Sequence, residues 1–288
     1  MFLRCATRTL DLSEPIVMGV LNVTPDSFSD AGQFLDPERA IEHGLRMVEA
    51  GAGFIDVGGE STRPGAAMVP EEEELRRVVP VIEALVRRVD VPISVDTSKP
   101  RVMRAAVEAG AELINDIYAL RLPGALEAAR DSGAAVCLMH MQGEPRTMQI
   151  EPRYDDVVAE VRDFLNDRVA VCLEAGLQLD RLVVDPVIGF GKRLQHNLAL
   201  LAALPTLGAH GVPVLVGVSR KSMFKDLLGR PVDERLPGAL AVATASVLAG
   251  ARIVRTHDVR ETLDAVKVAA ALKRSGYRMA TNGDFSVA

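Results

Sequence analysis

The sequence predicts an α/β fold of the (β/α)8 TIM-barrel class, folded as a single domain over residues 1–288 with its ligand site at the C-terminal ends of the strands. Three observations carry that expectation. First, eight short apolar runs each end in polar residues at the same structural point. Ile16–Leu21 ends at Asn22, Phe54–Val57 passes through two glycines to Glu60, and Pro92–Val95 ends at Asp96. Leu113–Ile114 ends at Asn115, Ala134–Met139 at His140, Leu182–Val184 at Asp185, Val214–Val218 at Ser219, and Ile253–Val254 at Arg255. Buried parallel strands read as such runs, and a closed barrel gathers their carboxyl ends around one cleft. Second, a phrase recurs ahead of the runs: Glu49-Ala50-Gly51-Ala52, Glu108-Ala109-Gly110-Ala111, Asp131-Ser132-Gly133-Ala134 and Leu248-Ala249-Gly250-Ala251. Its glycine supplies the left-handed conformation that ends a helix before the chain enters a strand. Third, no G-x-G-x-x-G follows the first run, which disfavours an open dinucleotide-binding sheet.

The elements follow in order. Met1–Glu14 precedes the first strand and reads as a short lid or hairpin. After the third run, Ser98 is placed to cap a helix whose inner face is Val102, Met103, Ala106 and Val107. Val157, Val161, Leu165 and Cys172 share one face of a long helix ending at Gly176. Asp258 with Glu261 reads as a capping box ahead of Leu263, Val266 and Ala270. The polar tail Thr281–Ala288 is expected to fray.

Composition narrows the class. Hydrophobic residues make up 48% of the chain and charged residues 25%, an ordinary globular balance. The net charge of −6 argues against a nucleic-acid partner and makes any local cluster of cations informative. Cys5, Cys137 and Cys172 are odd in number and show no C-x-x-C, which fits a reducing cytoplasm. No stretch approaches the apolar length of a membrane span, and the first residues lack an apolar core behind their charge, so neither membrane insertion nor secretion is expected.

Two groups of polar residues stand out. The last two loops, Ser219-Arg220-Lys221-Ser222 and Arg255-Thr256-His257-Asp258, hold cations and hydroxyls where barrels commonly bind phosphate. Arginine forks match phosphate oxygens, and lysine adds a mobile point charge. Arg220 and Arg255 could instead pair with carboxylates such as Asp258 or Glu60. Opposite them, Asp96, Asn115 and Asp185 are expected to sink into the barrel mouth, where carboxylate and amide edges would grip a flat heterocycle rich in N–H donors. Gly189-Phe190-Gly191-Lys192 lets backbone approach a ligand and offers an aromatic face. His140, between two methionines, reads as a buried supporting residue. The sequence has no H-E-x-x-H and no G-x-S-x-G, so a zinc site and a serine hydrolase are disfavoured.

These segments together resemble one family. Asn22-Val-Thr-Pro-Asp-Ser-Phe-Ser-Asp30, Asp56-Val-Gly-Gly-Glu-Ser-Thr-Arg-Pro-Gly65, Ser94-Val-Asp-Thr97, Asn115-Asp116, Met139-His-Met-Gln-Gly143, Asp185-Pro186 with Gly189–Lys192, Ser219–Ser222 and Arg255–Asp258 occur in the order and spacing of the bacterial dihydropteroate synthases. The resemblance spans about Met18 to Asp258. It implies condensation of 6-hydroxymethyl-7,8-dihydropterin diphosphate with p-aminobenzoate to give 7,8-dihydropteroate and diphosphate, a step of folate biosynthesis that sulfonamides block. It also implies a cytoplasmic homodimer that uses Mg2+, with no nucleic acid or membrane partner.

By motif match, Asp96, Asn115, Asp185 and Lys221 would hold the pterin. Asn22, Thr62, Arg63, Arg255 and His257 would hold the diphosphate, with Asn22 touching the metal. Arg63, Pro64, Phe190, Lys221 and Ser222 would border p-aminobenzoate. The catalytic burden would fall on Asp96, Asp185, Lys221 and Arg255. The loops Thr24–Phe34 and Ser61–Val69 would close over the ligands. The sequence departs from the family pattern at Val187, where glycine commonly follows Asp185-Pro186. A valine resists positive φ, so a reshaped Asp185 loop is expected. Alternatives are a pterin-binding methyltransferase-like barrel, a non-catalytic pterin-binding paralogue, and a Schiff-base aldolase built on Lys221.

Overall fold

The computed structural model describes residues 1–24, 37–61, 68–144, 147–208 and 211–277. Eight parallel strands form the barrel: β3 (Ile16–Asn22), β4 (Phe54–Gly58), β5 (Ile93–Asp96), β6 (Leu113–Asp116), β7 (Ala135–Met139), β8 (Leu182–Asp185), β9 (Leu215–Gly217) and β10 (Ile253–Thr256). They hydrogen-bond in the order β8-β7-β6-β5-β4-β3-β10-β9. The ring closes between β8 and β9 through a single parallel bridge, Val184 to Val214, with Val184 N donating to Pro213 O at 3.0 Å. All eight predicted runs are strands of this one sheet.

Strand side chains alternate, and the alternation sorts two cores. Outward residues such as Val57, Val95, Ile114, Val136, Leu138 and Val254 pack under the helices. Inward residues near the strand starts, including Met18, Phe54, Leu113, Ala135, Cys137, Val183, Leu215 and Ile253, fill the barrel floor. Further along, the same inward parity carries Asp56, Ser94, Asp96, Asn115, Asp185 and Arg255. The register confirms it, with Asp56 beside Ser94, Asp96 beside Asn115 and Gly58 beside Asp96.

The outer layer includes α1 (Pro37–Glu49), α2 (Glu71–Val86), α3 (Pro100–Glu108), α4 (Ala125–Ser132), α5 (Val157–Glu174) and α6 (Leu194–Ala202). It continues with α7 (Leu204–Leu207), α8 (Met223–Leu228), α9 (Leu236–Leu248) and α10 (Val259–Arg274). The long helix buries Val157, Val161, Leu165 and Cys172 as the spacing predicts, and Asp156 caps it through Val158 N and Ala159 N. The recurrent glycines take the left-handed conformation, with φ of 96° at Gly51, 106° at Gly110, 73° at Gly133 and 109° at Gly250.

Two expected caps fail. Lys99, not Ser98, occupies the N-cap of α3, and the Ser98 hydroxyl is drawn instead to Asp116. Asp258 stands at the N-cap of α10 without a side-chain cap bond, because its carboxylate faces Ser219 and Arg220. The N-terminal segment is a hairpin, β1 (Phe2–Arg4) against β2 (Thr9–Asp11). It plugs the barrel floor at the end remote from the polar residues: Leu3, Cys5 and Leu12 pack with Met18, Phe54 and Ile253. A lid over the site is therefore excluded for it. All three cysteines are buried and free, and burial pushes Cys5 up to about 12 and Cys172 up to about 11, leaving them as thiols at neutral pH. No helix among the described residues is long and apolar enough to cross a membrane. The expected tail, and the greater part of the two expected closing loops, lie outside the described residues.

Candidate active site

The carboxyl ends of the strands converge as the parity requires. At the centre is Asp56, fully buried in the middle of β4. Ser94 Oγ donates to its Oδ1 at 2.6 Å, while Asn115 Nδ2 at 3.1 Å and Arg255 Nε at 2.6 Å donate to its Oδ2. Arg255 then spans to the next strand, its Nη2 donating to Asp96 Oδ2 at 2.7 Å. The expected acidic and cationic groups are thus not on opposite flanks. Arg255 belongs to both, and the carboxylates it pairs with are Asp56 and Asp96 rather than Asp258 or Glu60. Arg220 takes Asp258, at 3.0 Å.

Burial sets the protonation of this cluster. Asp96 is pushed up to about 7, chiefly by desolvation, with Arg255 pulling it down and Asp56 pushing it further up. For Arg255, burial opposes the charge, but Asp56 and Asp96 hold its pKa above the ordinary arginine value. Asp185 is pushed up to about 6 by burial, restrained by the Val187 N–H that donates to its Oδ1 at 2.7 Å. Lys221 is pulled down to about 8 by burial, against the attraction of Asp185. Its ammonium lies 4.3 Å from the centre of the Phe190 ring, so the two loops meet across the β8–β9 seam.

A second group lies at the end of β10. His257 Nδ1 is 3.0 Å from Ser219 Oγ, which also accepts the His257 backbone N–H at 3.2 Å. His257 Nε2 is 3.5 Å from Asn22 Nδ2. These contacts bring Asn22, Ser219 and His257 together. Ser222 is exposed at the N-cap of α8 and makes no side-chain cap bond. Thr62, Arg63 and Pro64 lie outside the described residues.

One buried atom of the cleft has no hydrogen-bond partner. Asn115 is fully buried, its amide nitrogen is committed to Asp56, and its Oδ1 has no partner. Buried polar atoms are nearly always satisfied, and an orphan costs about 1–3 kcal/mol. With Asp96 and Asp185 nearby in the ring, the cleft offers acceptors to a ligand rich in N–H donors.

Two residues that the sequence reading quotes within motifs carry roles it does not assign. Asp56 was counted within an apolar run, although it shares inward parity with Phe54. Lys192, 3% exposed, donates to His140 O at 3.2 Å and Phe190 O at 3.0 Å, and burial pulls it down to about 7. It pins the Phe190 turn to β7. His140 is 6% exposed, packs edge-on against Phe164, and is held neutral by burial, its pKa down at about 2. Val187, where positive φ was expected to be resisted, takes φ of +49° and keeps its N–H on Asp185.

Comparison with known proteins agrees with this geometry. Residues 18–257 match the family model described as pterin binding enzyme. Dihydropteroate synthase of Escherichia coli (strain K12) is 55% identical over 260 residues, covering 90% of this chain and 92% of that protein. The Yersinia pestis dihydropteroate synthase, solved with a sulfonamide drug, superposes with a TM-score of 0.91 at 52% identity, covering 95% of this chain and 100% of that one. The Xanthomonas albilineans enzyme with 4-aminobenzoic acid gives 0.89 at 52% identity, covering 94% and 98%. The latter has also been solved with 7,8-dihydropteroate.

Proposed function

This chain belongs to the pterin binding enzyme family, and from that premise we propose the working of its site. It is a transferase of folate biosynthesis that joins 6-hydroxymethyl-7,8-dihydropterin diphosphate to p-aminobenzoate, giving 7,8-dihydropteroate and diphosphate, and it is a target of sulfonamides. The observation that carries the reading is the unpartnered Asn115 Oδ1 in a ring of buried acceptors. A pterin presents N–H and NH2 donors along one edge, which that ring matches. Asp96, Asn115, Asp185 and Lys221 hold the pterin. Asn22, Arg255 and His257, with Thr62 and Arg63, hold the diphosphate. Phe190, Lys221 and Ser222, with Arg63 and Pro64, border p-aminobenzoate.

The reaction asks for charge stabilisation more than for acid–base work. The bond between the pterin methylene carbon and the diphosphate oxygen breaks, and its electron pair leaves with the oxygen. Arg255 and His257 take up the charge that grows there. The methylene becomes a cation delocalised into the pterin ring, which Asp96 and Asp185 stabilise. The amine lone pair of p-aminobenzoate then forms the new C–N bond, and the nitrogen sheds a proton. Isotope scrambling within the diphosphate, in the absence of p-aminobenzoate, supports this dissociative order; cleavage that strictly requires the amine defeats it.

Mg2+ takes oxygen ligands and commonly keeps waters and substrate phosphates in its shell. Among the described residues no group of three His, Cys, Asp or Glu side chains is placed to hold a metal. Asn22 can contribute one amide oxygen, since its nitrogen faces His257. Asn22 would be the chain's contact to a bound Mg2+, and the ion would offset the negative charge of the diphosphate. The protein acts as a cytoplasmic homodimer. Diphosphate release from the pterin substrate, measured with and without p-aminobenzoate and Mg2+, tests the whole reading. Release coupled to dihydropteroate formation is expected, and its absence refutes the assignment.

A further inference from the structure

One buried cation behind the cleft takes no part in the chemistry above. Lys192 is 3% exposed, and its acceptors are two backbone carbonyls, His140 O beyond the end of β7 and Phe190 O in its own turn, rather than a carboxylate. Its ammonium therefore ties turn 189–192 to the neighbouring strand end. Other side chains hold the same turn. Asn197 of α6 accepts the Gly189 N–H at 2.8 Å, Gln149 donates to Gly189 O, and the Tyr154 hydroxyl donates to Gly191 O at 2.9 Å. The glycines flanking Phe190 have φ of 103° and 64°, and a Cβ on Gly191 would stand 2.7 Å from Gln142 O, so the turn fits closely against the loop after β7. Within the turn, Gly189, Gly191 and Lys192 are buried and Phe190 is partly exposed. The Phe190 ring meets the Lys221 ammonium at 4.3 Å, and Lys221 Cδ would lie 3.5 Å from a Cβ on Gly189.

We propose that Lys192 is a positioning residue for the second substrate: by joining Phe190 O to the end of β7, it sets the Phe190 ring against the Lys221 ammonium, and so places the aromatic and cationic faces that receive the aromatic amine. The proposal deepens the reading above, in which Phe190 and Lys221 border p-aminobenzoate, and it rests on that reading. The physical argument is which link holds which atom. Asn197, Gln149 and Tyr154 hold the two glycines, whereas Lys192 holds the carbonyl of Phe190 itself. A charged donor grips a carbonyl more firmly than a neutral one. Without the ammonium, two carbonyls lose that donor, and the Phe190 peptide turns to find another, between glycines that resist rotation little. The ring then leaves Lys221, whose ammonium keeps the attraction of Asp185 and Asp96. The pterin wall, built on β5, β6 and β8, keeps its contacts. If Lys192 served only to satisfy the end of β7, its loss would cost the same whether or not a ring stood at position 190.

The test uses the full chain carrying Lys192→Met, alone and together with Phe190→Ala. In the single variant KM for p-aminobenzoate rises on the order of tenfold, while KM for the pterin diphosphate changes by less than about twofold. In the Phe190→Ala background the same lysine change adds less than about twofold, because the group it acts through is gone. Hydrogen exchange at the Gly189 amide, which donates to Asn197, rises on the order of tenfold as the turn loosens. Should Lys192→Met fail to fold, Lys192→Gln, whose amide still offers a donor to one carbonyl, takes its place; a rise in KM above about threefold is then expected, again vanishing beside Phe190→Ala. An unchanged KM for p-aminobenzoate overturns the proposal, as do equal effects of the lysine change with and without the Phe190 ring. Unchanged exchange at Gly189 in a folded variant, or an equal weakening toward both substrates, overturns it too. A wild-type protein that releases no diphosphate refutes the functional reading instead, and the exchange measurement still judges the tether.

Discussion

Replacing Arg255 by methionine isolates the ion pair at the centre of the cleft, because methionine keeps much of the volume and none of the charge. Asp56 would retain the donors Ser94 and Asn115 and so remain satisfied as an anion. Asp96 would lose the guanidinium that is its hydrogen-bond partner among the described residues. It already sits at about 7 with Arg255 pulling its pKa down, so without Arg255 it rises further. Losing the bond to Asp56 alone costs about 1.5–3 kcal/mol. The remainder depends on pH. An acid whose folded pKa exceeds its unfolded value contributes stability at low pH, and that contribution is lost as pH rises through the folded pKa. Below about pH 6 Asp96 is protonated in both proteins, and the difference between them is flat. Above pH 7 the wild type has completed its loss while the variant continues to lose about 1.4 kcal/mol per pH unit until its own pKa is reached. Asp185 and Lys221, which also feel Arg255, shift in the same sense when it is removed. Urea unfolding of both proteins from pH 5.5 to 9 measures the difference. A gap that stays constant or narrows above pH 7 refutes the assignment of Asp96 as the dependent partner. Because the same variant removes the cation proposed to take up the charge of the leaving group, kcat/KM falls by several orders of magnitude at any pH.

Two further outcomes follow from the same geometry. Pterin N–H groups compete with Arg255 for Asp96, so a bound pterin releases Nη2 toward the diphosphate; calorimetry of pyrophosphate with and without 6-hydroxymethylpterin then shows positive coupling on the order of tenfold, equal in both directions, and independent binding refutes the exchange. At Val187, glycine relieves a positive φ that costs a β-branched residue about 1–2 kcal/mol, which offsets most of the lost burial; thermal unfolding of Val187→Gly shows a net loss of about 1 kcal/mol, and a loss above about 3 kcal/mol shows that the φ was never strained.

Asp96, Asn115, Asp185 and Arg255 were legible because each terminates an apolar run, and in a parallel barrel the ends of such runs share one rim. Asp56 was missed for the same reason: it stands inside its run, with Val57 after it. Its signal was parity, since Phe54 and Asp56 must face the same way, and a carboxylate facing inward needs donors. The pairing of Arg255 with Asp56 and Asp96 could not be read, because it spans 199 and 159 residues and depends on which strands are neighbours. The failed caps have a common cause. Ser98 and Asp258 fit the local pattern of a helix start, but each found a stronger partner from another strand: Asp116 for the first, Ser219 and Arg220 for the second. The hairpin was legible as an element and illegible as a plug, since nothing in fourteen residues states which end of a barrel they will meet.

The charges of the cleft are arranged so that almost none stands alone before a ligand arrives. Arg255 is shared by two carboxylates, and burial drives Asp185 to about 6, Lys221 to about 8 and Lys192 to about 7, each toward its neutral form. Such an interior is a poor way to stabilise a barrel, because well-packed apolar side chains in the same places would do as well or better. Its polarity points to the ligand. A molecule that is donor-rich at one end and polyanionic at the other can replace both halves of the Arg255 pair at once, giving Asp96 a donor and the guanidinium a stronger acceptor. A ligand with only one of those ends breaks the contact between Arg255 and Asp96 and replaces it for one of the two partners alone. The cleft therefore selects for the two ends together, and the selection resides in the ion pair that holds the site when it is empty.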